Sequence, residues 1–269
     1  MRVDFDKMEG AGNDFILVDN RDGRLPAPVK RRLAVDLCRR CFGIGADGMI
    51  FVENDPEYDF SWDFYNSDGS RAEMCGNGAR CVARYANRIG AAGTAMTFRS
   101  LAGPIRAQLT PRGAKVRLTD VFLPKGAETL IVEGDSVPVW FLNSGVPHAV
   151  VQVSDLESVD VVRLGRLLRN HPRFAPAGTN VNFIVPKGGD RLAIRTYERG
   201  VEDETLACGT GSVAASIAAG RFLGGSSPTT VETRGGGDLV IHFRLEGDEA
   251  REVFLEGGAR LVFSGWFEV

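Results

Sequence analysis

Two stretches of this chain follow one plan. Met74-Cys75-Gly76-Asn77-Gly78-Ala79-Arg80 and Ala207-Cys208-Gly209-Thr210-Gly211-Ser212 each set a cysteine in a glycine-rich bend that runs straight into small residues. Such residues suit a helix buried on every side. The cysteines lie 133 residues apart in a chain of 269, close to half its length. This spacing predicts two halves of one design, with a shared site in the cleft between them. The expected fold class is α+β: two pseudo-symmetric domains, each a mixed β-sheet wrapped around a central helix.

The stretches between fit that plan. Phe15-Ile16-Leu17-Val18 reads as a strand closed by the turn residues Asp19 to Gly23, and a helix follows with Pro28 in its first turn. On that helix Leu33, Leu37 and Cys38 share a face. Tyr58 to Tyr65 alternates Phe60, Trp62 and Phe64 with polar residues, which predicts a strand with one buried face, ending at the turn Asn66-Ser67-Asp68-Gly69-Ser70. The helix after Cys75 should stop near Gly90. Strands follow from Ala95 to Leu118, with turns at Gly103-Pro104 and Pro111-Arg112-Gly113. A second half begins near Val121 and repeats the order: strands, a helix around Val161 to Leu168, strands at Val181 to Val185 and Leu192 to Tyr197, then the second cysteine bend.

Composition narrows the function. Lys and Arg total 32 against 35 Asp and Glu, which leaves no basic footprint for nucleic acid or an anionic membrane. No apolar run approaches the roughly 20 residues of a spanning helix, and the first residues lack a signal-peptide layout, so the chain is expected in the cytoplasm. Five cysteines in such a compartment should be free thiols. Cys38 and Cys41 have Cys-x-x-Cys spacing, but no second Cys or His pair accompanies them, and zinc takes about four ligands, so no metal is expected. Cys81 reads as packed on its helix face.

A cysteine before a helix has chemical consequences. The first helical turn presents unpaired N–H groups and a positive dipole end. Glycines let a carboxylate approach that backbone closely. A thiol there should ionise below its ordinary value of roughly 8.5. Two such turns would hold one carboxylate and place a thiol on each face of the neighbouring carbon. One thiolate then removes the α-proton while the opposite thiol supplies another, so an amino acid is inverted without a cofactor.

The motifs now resemble those of the diaminopimelate epimerase family. Gly10-Ala11-Gly12-Asn13-Asp14-Phe15, Gly43-Ile44-Gly45-Ala46-Asp47-Gly48, Asn66-Ser67-Asp68-Gly69-Ser70, Met74 to Arg80, Tyr197-Glu198-Arg199-Gly200 and Ala207 to Gly211 look like its signatures, in order, along nearly the whole chain. The resemblance implies Cys75 and Cys208 as the two bases, with His148 and Glu198 beside them as polar partners that tune them. It implies Gly76, Asn77, Gly209 and Thr210 on the α-carboxylate. Asn13, Asn66, Asn180 and Arg199 would bind the rest of the substrate, Arg199 taking the distal carboxylate. It also implies domains at 1–119 and 120–261, with the last strand, 262–269, returning to the first. The reaction implied converts LL-2,6-diaminopimelate to the meso isomer for lysine and peptidoglycan precursors. The only partner it requires is the amino-acid substrate, and it leaves room for a homodimer. One departure stands out: Gly145-Val146-Pro147-His148 replaces the Gly-Asn-Pro-His of many members.

Taken singly, these residues have plainer readings. Asn66 suits a turn, His148 a satisfied loop histidine, and Glu198-Arg199 a surface ion pair. Among enzymes, a proline racemase or hydroxyproline epimerase shares the two-thiol logic but has no need of Arg199 and three amides. A phenazine-pathway-like isomerase does not use the cysteine pair. An inactive amino-acid-binding protein would have no reason to keep both thiols, and a pyridoxal-phosphate racemase would need a lysine motif that is not seen.

Overall fold

The computed structural model describes residues 1–269, which divide into two compact units, Met1–Val116 with Gly257–Val269 and Arg117–Glu256. The returning segment begins at Gly257, before the residue 262 of the sequence reading. Arg80 and Arg84 account for this, donating to the carbonyls of Gly258 and Ala259 at 3.2 and 2.9 Å.

The first unit contains β1 (Arg2–Gly10), β2 (Asn13–Asp19), α1 (Ala27–Leu37), β3 (Gly48–Glu53), β4 (Phe60–Asn66), α2 (Gly76–Arg88), β5 (Ala95–Ser100), β6 (Gly103–Thr110) and β7 (Gly113–Arg117). The second contains β8 (Val121–Phe122), β9 (Glu128–Val132), β10 (Asp135–Asn143), β11 (Pro147–Gln152), α3 (Val161–Arg169), β12 (Asn180–Gly188), β13 (Arg191–Glu198), β14 (Asp203–Thr205), α4 (Gly209–Phe222), β15 (Thr229–Glu232), β16 (Asp238–Glu246) and β17 (Glu249–Gly258). The last strand, β18 (Arg260–Glu268), pairs antiparallel with β1.

Strand pairing shows the repeat. In the first unit β1–β2 is antiparallel, β2–β3 parallel, β3–β4 antiparallel, β4–β5 parallel, and β5–β6 and β6–β7 antiparallel. The second unit gives the same series for β10, β11, β12, β13, β15 and β16, with β16–β17 antiparallel at its end. Each parallel pair is bridged by a helix: α1 and α3 at the first, α2 and α4 at the second. The chain is therefore α+β, one mixed-sheet design used twice. In each unit the sheet curls around one helix, α2 touching β1, β2, β3 and β6, and α4 touching β10, β11, β12, β13, β15 and β16. Every residue of α4 from Gly211 to Ala219 is buried, so side chains larger than Ala, Ser, Val or Ile would collide with the surrounding strands. No helix is long and apolar enough to cross a membrane.

Two local expectations shift. Strand β4 has both faces buried: Phe60, Trp62 and Phe64 on one, Asp63 and Tyr65 on the other. The second face lies under α1, whose Lys30 ammonium pairs with Asp63 at 2.5 Å and Glu53 at 2.6 Å. The turn expected at Gly103-Pro104 falls on Leu101-Ala102, and Pro104 sits inside β6 opposite Arg99.

Burial alone would raise the Asp63 carboxyl, but donors from Lys30, Tyr65 and Arg71 outweigh it and leave the group below its ordinary value. A depressed carboxyl stabilises the fold above its unfolded value, about 3.9, and that contribution disappears as pH falls through the lower folded value. Acid titration followed by circular dichroism should show this loss in the parent and a flatter curve for Asp63→Asn. Parallel curves would remove Asp63 from the acid response.

Candidate active site

In each unit the candidate residues gather at one end of three neighbouring strands, beside the N-terminus of the wrapped helix. Asn13 opens β2, Asp47 precedes β3 and Asn66 closes β4, with Phe15, Gly48 and Asn66 in register. In the second unit His148 lies near the start of β11, Asn180 opens β12 and Glu198 closes β13, and His148 stands opposite Asn180. The repeat thus places matching positions at matching ends.

Cys75 is the N-cap of α2, half-buried, with an extended backbone (φ −146°, ψ 121°). Its sulfur accepts from the Gly78 N–H at 3.5 Å, as an N-cap side chain should. The Asn13 amide oxygen lies 3.6 Å from that sulfur and accepts from Asn77 at 3.4 Å. Asn13 can reach it because the preceding hairpin turns tightly through Ala11 and Gly12, both at positive φ. The other end of the Asn13 amide donates to Asp47. Arg40 holds both Asp47 and Asp14, and the buried Lys7 also pairs with Asp14, at 2.8 Å. An acceptor-only carboxylate on one side thus fixes the Asn13 carbonyl toward the thiol. Beneath, the fully buried Arg80 donates to Asn77 Oδ1 at 2.8 Å and so sets that amide too. Asn66 is tied within its own turn, donating to Ser70 Oγ at 3.0 Å.

Cys208 is the N-cap of α4 and is buried. Thr210 Oγ1 lies 3.7 Å from its sulfur, and His148 Nε2 lies 3.0 Å from that hydroxyl. His148 therefore reaches the sulfur only through Thr210. Burial, with some help from the Arg199 charge, pushes His148 down to about 3, so it is neutral at working pH and acts as a hydrogen-bonding group. A thiol at a helix start is expected below its ordinary value, and at Cys208 the structure reverses this. Burial first, and the Glu198 carboxylate second, push the thiol up to about 12 against the lowering donors of Gly211 and Thr210. A few N–H groups do not repay the removal of a thiolate from water. Cys208 is thus held as a proton-bearing thiol, and burial raises the nearby Glu198 carboxyl as well.

Asn180 spends its amide on backbone, donating to Pro147 O at 3.1 Å and accepting from the Arg199 N–H at 2.8 Å, which fixes where the Arg199 chain begins. One Arg199 nitrogen donates to Ala177 O. Val146 lies in a turn closed by its own carbonyl to the Ser144 N–H, and the Ser144 hydroxyl donates to Thr210 O at 2.8 Å. Gly209 and Gly211 are needed for close approach: a Cβ would lie 2.8 Å from Leu255 at the first and 2.3 Å from Asn182 Oδ1 at the second. Gly76 opens α2, and its carbonyl accepts from Arg80.

The sequence profile of the family described as diaminopimelate epimerase matches residues 5–122 and 140–262. The diaminopimelate epimerase of Aquifex aeolicus is 46% identical, the alignment covering 98% of this chain and 97% of that one. This chain belongs to the diaminopimelate epimerase family. The diaminopimelate epimerase of Archaeoglobus fulgidus is 39% identical, over 98% of this chain and 96% of its own. Solved structures share the fold at lower identity. A phenazine biosynthesis protein from Bacillus anthracis has a TM-score of 0.74 at 14% identity, with all of both chains covered. A hydroxyproline epimerase from Agrobacterium vitis has a TM-score of 0.68 at 16%, over 98% of this chain and 92% of that one.

In this diaminopimelate epimerase family member three contributors escape sequence reasoning: Asp47, Arg80 and Asn182. The first two sit inside quoted motifs, where only partner geometry reveals their use. Asn182 is a polar residue in the apolar run Val181 to Val185, and that mismatch was the available signal. Of the remaining cysteines, Cys38 lies in the first unit's core at the end of α1, Cys41 is exposed, and Cys81 is buried on α2. Burial pushes Cys38 and Cys81 up to about 12.

Proposed function

We propose that this chain epimerises LL-2,6-diaminopimelate to the meso isomer by two-base chemistry without a cofactor, in the cytoplasm. The observation that carries the reading is the repeated thiol N-cap, one half-buried with the Gly78 N–H directed at its sulfur, the other buried and proton-bearing. In the forward sense the Cys75 thiolate takes the α-proton. The Cα–H electrons move into the carboxylate-conjugated carbanion, and the Cys208 S–H delivers its proton to the opposite face. The net proton count is unchanged and the two sulfurs have exchanged states, so the reaction runs equally in reverse.

N–H groups of Gly76 and Asn77 and of Gly209 and Thr210 are proposed to receive the α-carboxylate and the charge it gains. Arg199 is assigned the distal carboxylate, with the second amide hydrogens of Asn13, Asn66 and Asn180, which their contacts to Asp47, Ser70 and Pro147 leave over, orienting the rest. Val146 should leave the substrate unchanged and weaken binding threefold to tenfold, about one net hydrogen bond.

Incubation with LL-diaminopimelate in deuterated water should yield the meso isomer carrying α-deuterium. Arg199→Met should lower kcat/KM by roughly 10- to 100-fold, because it removes a charged hydrogen-bonding partner. A preference for lysine, glutamate or proline over diaminopimelate would overturn the substrate while leaving the thiol chemistry standing. A homodimer is the proposed assembly, since β18 leaves Leu261, Val262, Phe263 and Trp266 substantially exposed. Sedimentation at the mass of one protomer would remove it.

A further inference from the structure

Behind Cys208 a line of buried polar groups runs into the second unit: Thr210, His148, Asn182 and Thr196. We propose that Asn182 is a positioning residue that sets the direction of every hydrogen bond in this line, so that the Thr210 hydroxyl donates to the Cys208 sulfur. The inference deepens the proposed function, since it rests on Cys208 as an acid and base.

The direction follows from donors and acceptors alone. Asn182 is fully buried on β12, and its amide nitrogen lies 3.1 Å from the Ala149 carbonyl, which can only accept. The amide is thereby oriented, and its oxygen accepts from Thr196 Oγ1 at 3.0 Å. The second hydrogen of Asn182 Nδ2 points to His148 Nδ1 at 3.1 Å. That ring nitrogen must therefore be bare, and the proton of the neutral ring resides on Nε2. Nε2–H then donates to Thr210 Oγ1 at 3.0 Å. With its lone pair engaged, the Thr210 hydroxyl has its own hydrogen left to give, and the sulfur lies 3.7 Å away.

The physical effect is selective. A hydroxyl aimed at sulfur stabilises the thiolate that forms when Cys208 yields its proton, and stabilises the thiol much less. In a buried setting this offsets part of the cost that otherwise favours the thiol. Two charged groups act on the same end of the line, Glu198 at the end of β13 and Arg199 after it. Neither can replace a hydrogen bond of fixed direction. Gly211 belongs to the same construction, because a Cβ there would meet Asn182 Oδ1 and lie 3.2 Å from the sulfur.

Nitrogen-15 NMR of histidine-labelled protein reads the tautomer directly. His148 should show a bare Nδ1 and a protonated Nε2, unchanged between pH 5 and 9. An Nδ1–H tautomer or an imidazolium in that range would overturn the proposal. Alkylation by iodoacetamide, followed by peptide mass mapping, reads the sulfur. Thr210→Val should slow Cys208 alkylation at fixed pH about tenfold, and Thr210→Ser should restore it, while Cys75 reacts at an unchanged rate. Asn182→Leu should give a similar drop, and combining it with Thr210→Val should add nothing further, because the two residues form one line. Full additivity, or equal rates for the Val and Ser variants, would count against the proposal. The Thr210 pair and the NMR measurement decide the matter even if Asn182→Leu fails to fold. Absence of any turnover of LL-diaminopimelate would sink the proposed function alone, since neither chemical readout depends on it.

Discussion

Replacing Cys208 by Ala is expected to lower kcat/KM for LL-diaminopimelate by about 10²- to 10⁴-fold, the usual worth of a positioned general acid or base. Cys75→Ala should do the same, because in the proposed reaction each thiol serves one face of the α-carbon. The losses should not multiply in the double variant, since either deletion already breaks the proton exchange. Stability should change little, as the core around α2 and α4 is built from their later residues. The variant that keeps one thiol should still exchange the α-proton of the isomer presenting that face, so deuterium uptake should outlast inversion. Near-parental inversion by either single variant would end the two-base assignment.

The second large effect is expected at Arg80. Arg80→Met keeps the inner part of the side chain but removes the guanidinium, a cation buried against three neutral oxygens: Gly76 O, Asn77 Oδ1 and Gly258 O. Each buried acceptor left unmet costs about 1–3 kcal/mol, and Gly76 O keeps its helical partner, so the two remaining oxygens give an expected loss of about 2–6 kcal/mol. Urea unfolding measures it as a lower midpoint. Chemistry should suffer as well, because the Arg80 charge attracts the Cys75 thiolate and holds the Asn77 amide that meets Asn13. Iodoacetamide labelling of Cys75 should slow, with Cys208 unaffected. An unchanged midpoint together with unchanged labelling would reduce Arg80 to a filler of space.

What could be read from the sequence was local. Glycine and cysteine at a helix start carry their meaning within a few residues, so both wrapped helices, their N-caps and the duplicated plan were visible at once. Gly90 marked the end of α2, where it follows the cap at positive φ. Three things were hidden because they depend on what packs from elsewhere. The buried second face of β4 needs Lys30 of α1, far away in sequence, to pair with Asp63. The raised Cys208 thiol reflects burial by the surrounding sheet, which outweighs the local pull of the helix start. Asn182 looks like a misplaced polar residue until Ala149, His148 and Thr196 appear around it.

The pairing of β1 with β18 imposes an order on the newborn chain. Synthesis delivers the first unit's strands first, at roughly 5–20 residues per second, but β18 follows only after the whole of the second unit. Until then β1 has a bare edge, and Phe5 lacks the rings of Phe263 and Phe267 that pack on it. The half made first is therefore finished last, and it must wait with an open strand edge, the kind of surface that recruits other chains. Loss of the final ten residues would accordingly damage the part of the molecule farthest from them along the chain, and leave the second unit complete.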